Sequence, residues 1–319
     1  MNNRQPSIIT WLLEGDISIH YQVHKRLLNA KPSVLLSLKE RIHQEGYAKQ
    51  YLQLRDEKTF KWGNGIYSPK WISTHYTLLE LKNMEINPMI TEYQESVQLL
   101  LQKMWFNKGQ VNKFRHQDMC VVAMILSMAA YGKLKLPELS EMIDYILEHQ
   151  FDDGGWNCMW ESDKNPTHSS LHTTLSVLES LHDLELNGYS YQEDRIKKAI
   201  LRGDEFILRK ELFRSERTHQ IIHPSLLNFP YPSRWKYDIL RALEYFSKTN
   251  HPYDTRMEEA ISIIKDKMKK DGTWGLGTAH SGLTHFKMEH GLSSRWNTLR
   301  ALSVLKTYDP TYFQKLISR

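Results

Sequence analysis

Apolar residues recur along most of the chain at the spacing of an α-helix, and the alternating patterns typical of strands are scarce. Glycine and proline interrupt this pattern at regular intervals and so divide the chain into helices joined by loops. Two kinds of helix alternate. Residues 119–131 are apolar around most of the helix, whereas residues 258–270 carry one apolar stripe and a charged opposite face. A helix of the first kind must be enclosed by others, so we expect hairpins with an inner and an outer member.

Three loops share a glycine-rich or polar turn that contains a tryptophan and leads into a helix rich in serine and threonine at its start. The tryptophans are Trp62, Trp156 and Trp274. The gaps between them span about two repeat lengths each, which predicts one further unit in each gap. The segments 107–118 and 223–235 supply these units. We therefore expect the three tryptophans to occupy equivalent places on their hairpins.

The repeat predicts an all-α fold, in which about five helical hairpins close into a single-ring α/α toroid. Apolar inner helices would form one ring, and amphipathic outer helices would wrap it. An open solenoid is the alternative arrangement. No stretch has the composition of a linker, so we expect a single domain over residues 1–319, with residues 1–30 as an N-terminal helical segment that packs on the toroid.

Composition narrows the functional classes. The chain carries a net charge of +5 without a run of basic residues, which argues against a nucleic-acid partner. Two cysteines form no disulfide framework, and residues 1–6 contain no apolar signal region. The longest apolar stretch, residues 119–130, is too short to cross a bilayer. These features predict a cytoplasmic protein without a transmembrane segment, and they leave its oligomeric state open.

Several segments resemble one group of proteins. Residues 142–156, which read MIDYILEHQFDDGGW, resemble the QW repeat of squalene and oxidosqualene cyclases, a repeat related to that of protein prenyltransferase β-subunits. Residues 11–16, 68–81 and 213–238 are similar to bacterial squalene-cyclase-like and prenyltransferase-like proteins. The resemblance implies a toroid of the terpenoid cyclase/prenyltransferase-like class, with a central cavity for an apolar or isoprenoid-like small molecule.

The chain departs from that group in two ways. Terpene cyclases of the squalene type protonate their substrate with a D-x-D-D motif, and this sequence has none. The pair Asp152–Asp153 lies inside the repeat turn, where it is better interpreted as a turn and cap for the glycines that follow. The cyclases also have two helical rings, and this chain has the length of one. Squalene cyclisation by the standard route is therefore not expected.

Polar candidates for chemistry gather around the start of one inner helix. His168 and His172 are four residues apart and share a helix face, and Cys158 lies in the preceding loop. Cys120 begins the neighbouring inner helix, and Asp118 is close to it in sequence. Cys158, His168 and His172 could bind zinc, with Asp118, His168 and His172 as catalytic groups. Protein prenyltransferases bind a catalytic zinc through Asp, Cys and His, but their Asp-x-Cys spacing is missing here. Unligated side chains are the alternative.

The loops that lead into the inner helices hold further aromatic, histidine and arginine residues. Such residues could line a small-molecule site or stabilise a cation. The candidate substrate-binding residues are Trp71, His75, Arg115, His116, Trp156, Trp160, Trp235, Tyr237, Arg295 and Trp296. Alternatively, each tryptophan locks its own turn onto a neighbouring helix.

Two other functions remain open at this stage. A carbohydrate-active toroid, either a lyase or a hydrolase, would use the tryptophans as a sugar platform and would need paired carboxylates or a set of Tyr, His and Arg groups. Its carboxylates could come from Asp118, Glu161, Asp163 and Asp238. The third possibility is a binding protein without catalysis.

The loop lengths predict where the site lies. In a ring of hairpins, all outer-to-inner loops meet on one face, and here these loops are long. We therefore expect the main pocket at the face that bears Trp71, His116, Cys158, His168, Trp235 and Arg295. The opposite face carries the short turns near residues 83–88 and 132–137.

Overall fold

The computed structural model describes residues 7–106, 118–158 and 166–318. The described chain is mostly helical, as the sequence predicts. Its α-helices are α1 Ile8–Leu13, α2 Ile17–Gln22, α3 Pro32–Ile42, α4 Gly46–Gln53, α5 Thr74–Asn83, α6 Thr91–Leu101, α7 Met119–Tyr131, α8 Leu136–Glu148, α9 Leu171–Leu186, α10 Glu193–Arg209, α11 Ile239–Lys248, α12 Glu258–Asp266, α13 Arg295–Tyr308 and α14 Pro310–Ile317.

Short irregular elements complete the described structure. Single π-helical turns follow α2 and α6, at Val23–Leu27 and Gln102–Phe106. Two 3₁₀ turns lie at Pro224–Leu227 and Thr255–Met257. Strands β1 Trp274–Gly275 and β2 Ser293–Ser294 pair antiparallel. They form the only sheet within the described residues. The all-α class is confirmed.

Helices alternate between an inner and an outer type, and burial distinguishes them. In α7 every residue from Met119 to Ala130 is buried, while α10 and α12 bury only one stripe of side chains. Helix α7 packs on α5 and α9, and α11 packs on α13. The outer helices follow in order: α6 contacts α5, α8 contacts α7, α10 contacts α9, α12 contacts α11, and α14 contacts α13. The hairpin pattern predicted from periodicity is thus present.

The three repeat tryptophans form the same backbone contact. Each donates its backbone N–H to a threonine hydroxyl in the early part of the following inner helix, at 3.0 or 3.1 Å. The pairs are Trp62 with Thr74, Trp156 with Thr174, and Trp274 with Thr298. This contact fixes the loop to the first turns of the inner helix.

Their indole rings also repeat one contact. Each indole N–H donates to a backbone carbonyl of the preceding outer helix, and each side chain is 0–1% exposed. The acceptors are Tyr51 for Trp62, Ile146 for Trp156 and Ile264 for Trp274. The predicted equivalence of the three positions is confirmed, and the tryptophans lock outer helix, loop and inner helix together.

The N-terminal segment is part of the helical assembly. Helix α2 and the π-helical turn after it contact α13, and Gln22 donates a hydrogen bond to the carbonyl of Asn83 at the end of α5. Lys306 of α13 donates to the carbonyls of Arg26 and Leu27. The segment therefore links the last inner helix to α5.

None of the described helices is both long and apolar enough to span a bilayer.

Candidate functional site

A cavity of about 340 Å³ lies between the inner helices. Its walls come from α5, α7, α9, α11 and α13, and the N-terminal segment adds Gln22, Lys25 and Arg26. Its rim includes the exposed residue Leu186 and the half-exposed side chain of Lys248, while its floor is buried. Helices far apart in sequence therefore contribute to one concavity.

This location differs from the sequence expectation. The cavity opens beside Asn83 and Tyr131, at the ends of α5 and α7, and Trp296 is the sole predicted site residue among its described lining. The physical reason lies in the side chains. The loop aromatics are used for packing, whereas the later turns of the inner helices carry polar groups that need either water or an ion-pair partner.

An ion-pair cluster surrounds Glu244 on one side of the cavity. Its carboxylate accepts from Arg26 at 2.6 Å, from Arg300 at 2.9 Å and from Lys248 at 3.0 Å. Burial raises the pKa of Glu244, but Lys248, Arg300 and Arg26 outweigh it and hold the pKa well below the usual range. Glu85 is similar: burial is outweighed by Lys25 and Arg26, and its pKa falls to about 2. Both carboxyls are therefore ionised and cannot act as general acids at neutral pH.

The facing wall holds two further carboxylates that are also paired. Glu179 receives two hydrogen bonds from Arg241, at 3.0 and 2.6 Å. Asp183 pairs with Lys82 at 2.7 Å and accepts from the hydroxyl of Ser127 at 2.6 Å. Charge on the wall is thus largely compensated within the protein.

His182 is the one histidine among the described residues that line the cavity. Burial lowers its pKa, with neighbouring charges as smaller influences. Its imidazole is therefore neutral at pH 7 and can exchange a proton with a bound molecule.

The floor of the cavity contains hydrogen-bond donors that have no acceptor among the described residues. Tyr231 stacks on Trp296 with ring centroids 4.6 Å apart and an interplanar angle of 11°. The hydroxyl of Tyr231, Nε1 of Trp296 and Nη2 of Arg300 are buried, and among the described residues none of the three atoms has a hydrogen-bond partner. All three residues line the cavity. Buried donors of this kind are costly unless something else accepts from them.

Asp238 lies next to this floor. One of its oxygens is 3.8 Å from Nη2 of Arg300, and the other has no hydrogen-bond partner among the described residues. Burial raises the pKa of Asp238 to about 6, although Arg300 opposes the rise. Its protonated state therefore becomes populated just below neutral pH.

The loop face brings some of the predicted residues together around a lysine that the sequence did not single out. The amino group of Lys70 lies 5.4 Å from the ring centroid of Tyr67, 5.6 Å from that of Trp71 and 5.8 Å from that of Trp235. These are cation–π distances. Trp71 and Trp235 thus both lie close to Lys70.

Two predicted histidines belong to packed surroundings on the same side. His172 accepts a hydrogen bond from the backbone N–H of Tyr237 at 2.8 Å, and its ring meets Trp235 edge-on. Tyr237 is buried and donates its hydroxyl to the carbonyl of Leu212. His75 is fully buried between tyrosine rings, and burial lowers its pKa to about 3.

The proposed zinc residues do not assemble into a site. Within residues 7–106, 118–158 and 166–318, no three His, Cys, Asp or Glu side chains are grouped so that they could hold a metal ion. Cys158 instead contacts Cys120 and Thr173, and His168 is exposed. Asp118 is the residue before α7 and makes no capping hydrogen bond, and burial raises its pKa.

The remaining predicted residues have other positions. Arg295 stacks on Trp11 and donates to its backbone carbonyl, so it packs against the N-terminal helix α1. Trp156 performs the repeat contact given above. Asp153 accepts hydrogen bonds from Gly155 and Ser169, which supports the turn interpretation of the Asp pair. Arg115, His116, Trp160, Glu161 and Asp163 lie outside the described residues.

One further feature of the sequence indicates where the cavity lies. Charged residues occur in the later turns of otherwise apolar inner helices, as at Lys82, Asp183 and Glu244. A charge on a fully enclosed helix requires a partner or a wet cavity, so such positions indicate where the enclosed space lies.

The chain matches no model of a protein family and no curated protein.

Proposed function

We propose that the hairpins close into the single-ring α/α toroid that the repeat predicts, as in terpenoid cyclase/prenyltransferase-like proteins. Two observations support this. The inner helices α5, α7, α9, α11 and α13 all line one cavity, and the N-terminal segment bridges α13 and α5. In this arrangement residues 7–30 would be a member of the inner ring and not only a segment packed on it.

We further propose that the cavity binds a small, oxygen-rich anion of the sugar-acid type. The observation that carries this proposal is the set of unsatisfied donors on the floor, namely the hydroxyl of Tyr231, Nε1 of Trp296 and Nη2 of Arg300. A carboxylate bound there would supply acceptors that these donors lack among the described residues, and a hydrogen bond to a charged group is the stronger kind.

The lining favours such a ligand over the isoprenoid-like substrate that the resemblance implies. Lys and Arg outnumber Asp and Glu by seven to four among the described lining residues. An apolar molecule that filled this space would remove those groups from water without offering hydrogen bonds, which is costly. A polar anion replaces the lost water contacts.

Catalysis is a separate question within this proposal. Glu85 and Glu244 are held ionised, so neither can serve as the protonated carboxyl that a glycoside hydrolase uses. A lyase would instead need a neutral base near a cationic side chain that binds the carboxylate of the substrate. Among the described lining residues, His182 is a neutral base and Arg300 is a cation of that kind.

Titration calorimetry tests the binding proposal directly. The protein would be titrated at low salt with D-glucuronate, with D-glucose as the neutral match and with farnesol as an apolar probe. We expect heat of binding for glucuronate and little for the other two. Preferential binding of farnesol would overturn the proposal in favour of the isoprenoid class, and preferential binding of glucose would show that charge is irrelevant.

A further inference from the structure

The two cysteines of the chain contact each other although they are far apart in sequence. Cys120 is the second residue of α7, and its backbone N–H donates to Sγ of Cys158 at 3.1 Å. The interaction between the two thiols also lowers the pKa of Cys158 and raises that of Cys120. Both side chains are unbridged thiols. The two sulfurs therefore already occupy neighbouring positions.

The surroundings of Cys158 stabilise a thiolate. The hydroxyl of Thr173, in the first turn of α9, donates to Sγ of Cys158 at 3.2 Å. The sulfur thus lies against the starts of α7 and α9, where free backbone N–H groups favour negative charge. Hydrogen bonds from Cys120 and Thr173 lower the pKa of Cys158, although burial and Asp118 oppose them.

The two thiols differ in role. Cys158 is partly exposed, whereas Cys120 is buried, and hydrogen bonding to Cys158 together with burial raises the pKa of Cys120. A partly exposed thiolate beside a second thiol is the arrangement in which one cysteine reacts with an oxidant and the other resolves the product.

We propose that Cys158 and Cys120 form a peroxide-reactive dithiol, in which Cys158 reacts first with the peroxide and Cys120 then resolves the product to a disulfide. The thiolate of Cys158 attacks one oxygen of hydrogen peroxide, so that an S–O bond forms, the O–O bond breaks, and the departing hydroxide takes a proton to become water. The sulfur of Cys120 then attacks that of Cys158. An S–S bond forms, the S–O bond breaks, and the hydroxide leaves with the Cys120 proton. Two electrons pass from the thiols to one peroxide.

This site is independent of the ligand proposed for the cavity, since neither cysteine is among the described lining residues. The disulfide would join the segment that follows Trp156 to the start of α7.

The test uses the reduced full-length protein and one equivalent of hydrogen peroxide. Intact-mass measurement is expected to show a loss of about 2 Da, and peptide mapping is expected to place the bond between Cys120 and Cys158. Thiol titration should fall from two groups per chain to none, because the chain has two cysteines. Retention of both thiols at a peroxide dose that oxidises free cysteine would overturn the proposal, as would disulfides between chains.

Two variants separate the roles. Cys120→Ser keeps a hydrogen-bond donor at position 120 and should accumulate a Cys158 sulfenic acid that dimedone traps. Cys158→Ser should leave Cys120 unreacted under the same conditions. Trapping at Cys120 in place of Cys158 would reverse the assignment. Repeating the oxidation in guanidinium should abolish the difference between the two cysteines if the fold creates it.

Discussion

At the scale of single residues, the cavity floor contains buried polar atoms that reduce the stability of the ligand-free protein. Tyr231 and Trp296 stack on each other. The hydroxyl of Tyr231 and Nε1 of Trp296 are buried and have no hydrogen-bond partner among the described residues. Each such atom costs roughly 1–3 kcal/mol in a ligand-free protein. Phenylalanine at positions 231 and 296 would avoid this cost. We therefore expect the hydroxyl of Tyr231 and the indole N–H of Trp296 to form hydrogen bonds with a ligand.

Tyr231→Phe therefore makes two opposite changes. The variant removes an unsatisfied buried hydroxyl, so we expect the melting temperature of the ligand-free protein to stay constant or rise. It also removes a donor to the ligand, so we expect glucuronate affinity to fall about tenfold, which corresponds to one charge-assisted hydrogen bond. Thermal unfolding and calorimetry measure the two effects. Weaker binding together with lower stability would instead indicate that the hydroxyl supports the fold.

His75 supplies a prediction about pH. Burial lowers its pKa from 6.5 to about 3, so the folded protein excludes the proton while the unfolded chain binds it. The stability that depends on neutral His75 is present above pH 6.5 and is lost as the pH falls toward 3. Between pH 7 and pH 5 the loss should be about 2 kcal/mol.

His75→Leu should remove that part of the pH dependence, as measured by denaturant unfolding at pH 7 and pH 5. His168→Leu is the matched control because His168 is exposed. The control variant should follow the wild-type pH profile. An unchanged profile in His75→Leu would show that other groups cause the dependence.

At the scale of elements, the tryptophan contact is the unit that the chain repeats. Sequence spacing was sufficient to predict it, because the turn, the tryptophan and the threonine all lie within one hairpin. The unit at residues 223–235 has no tryptophan that makes this contact. Just after it, the hydroxyl of Tyr237 donates to the carbonyl of Leu212, which is again a contact between residues of the same part of the chain. Contacts within one hairpin can be predicted from the sequence because no distant residue takes part in them.

Thr174→Val tests the contribution of this contact. The change keeps the shape of the side chain but leaves the backbone N–H of Trp156 without its acceptor. We expect a loss of about 1–3 kcal/mol in the free energy of unfolding, and a similar loss for Thr298→Val at the equivalent place. Thr307→Val, at an exposed position of α13, is the control and should cost little. Unequal losses at Thr174 and Thr298 would argue that the repeats are not energetically equivalent.

At the scale of the whole molecule, the N-terminal segment and α13 depend on each other. Lys306 donates to two backbone carbonyls and to Oδ1 of Asn29, at 2.8, 3.1 and 2.8 Å. Those carbonyls lie at the end of a π-helical turn, where helix geometry leaves acceptors unsatisfied. This lysine therefore holds in place the turn that carries Lys25 and Arg26 to the cavity.

Lys306→Met should loosen that turn without unfolding the chain. We expect faster amide hydrogen exchange in residues 17–29 and unchanged exchange in α7, measured by mass spectrometry. Lys315→Met, on the exposed side of α14, should leave both regions unchanged. Faster exchange throughout the chain would mean that the segment is not a separate unit of stability.

The sequence by itself determined the helical class, the alternation of inner and outer helices and the equivalence of the repeat tryptophans. Each of these follows from periodicity or from contacts within one hairpin, where chain connectivity limits which residues can meet. The sequence also led to the expectation that Trp71, Trp235 and their neighbours gather at the loop face, and Lys70 lies among them.

Only the tertiary structure decided where the cavity lies and which charges surround it. Glu244 meets Arg26 from the other end of the chain, and Tyr231 meets Trp296 across two different hairpins. Nothing in local spacing specifies such pairs, because they depend on how the hairpins are placed around one another. The same applies to Cys120 and Cys158, whose sulfurs become neighbours only when α7 and α9 pack side by side.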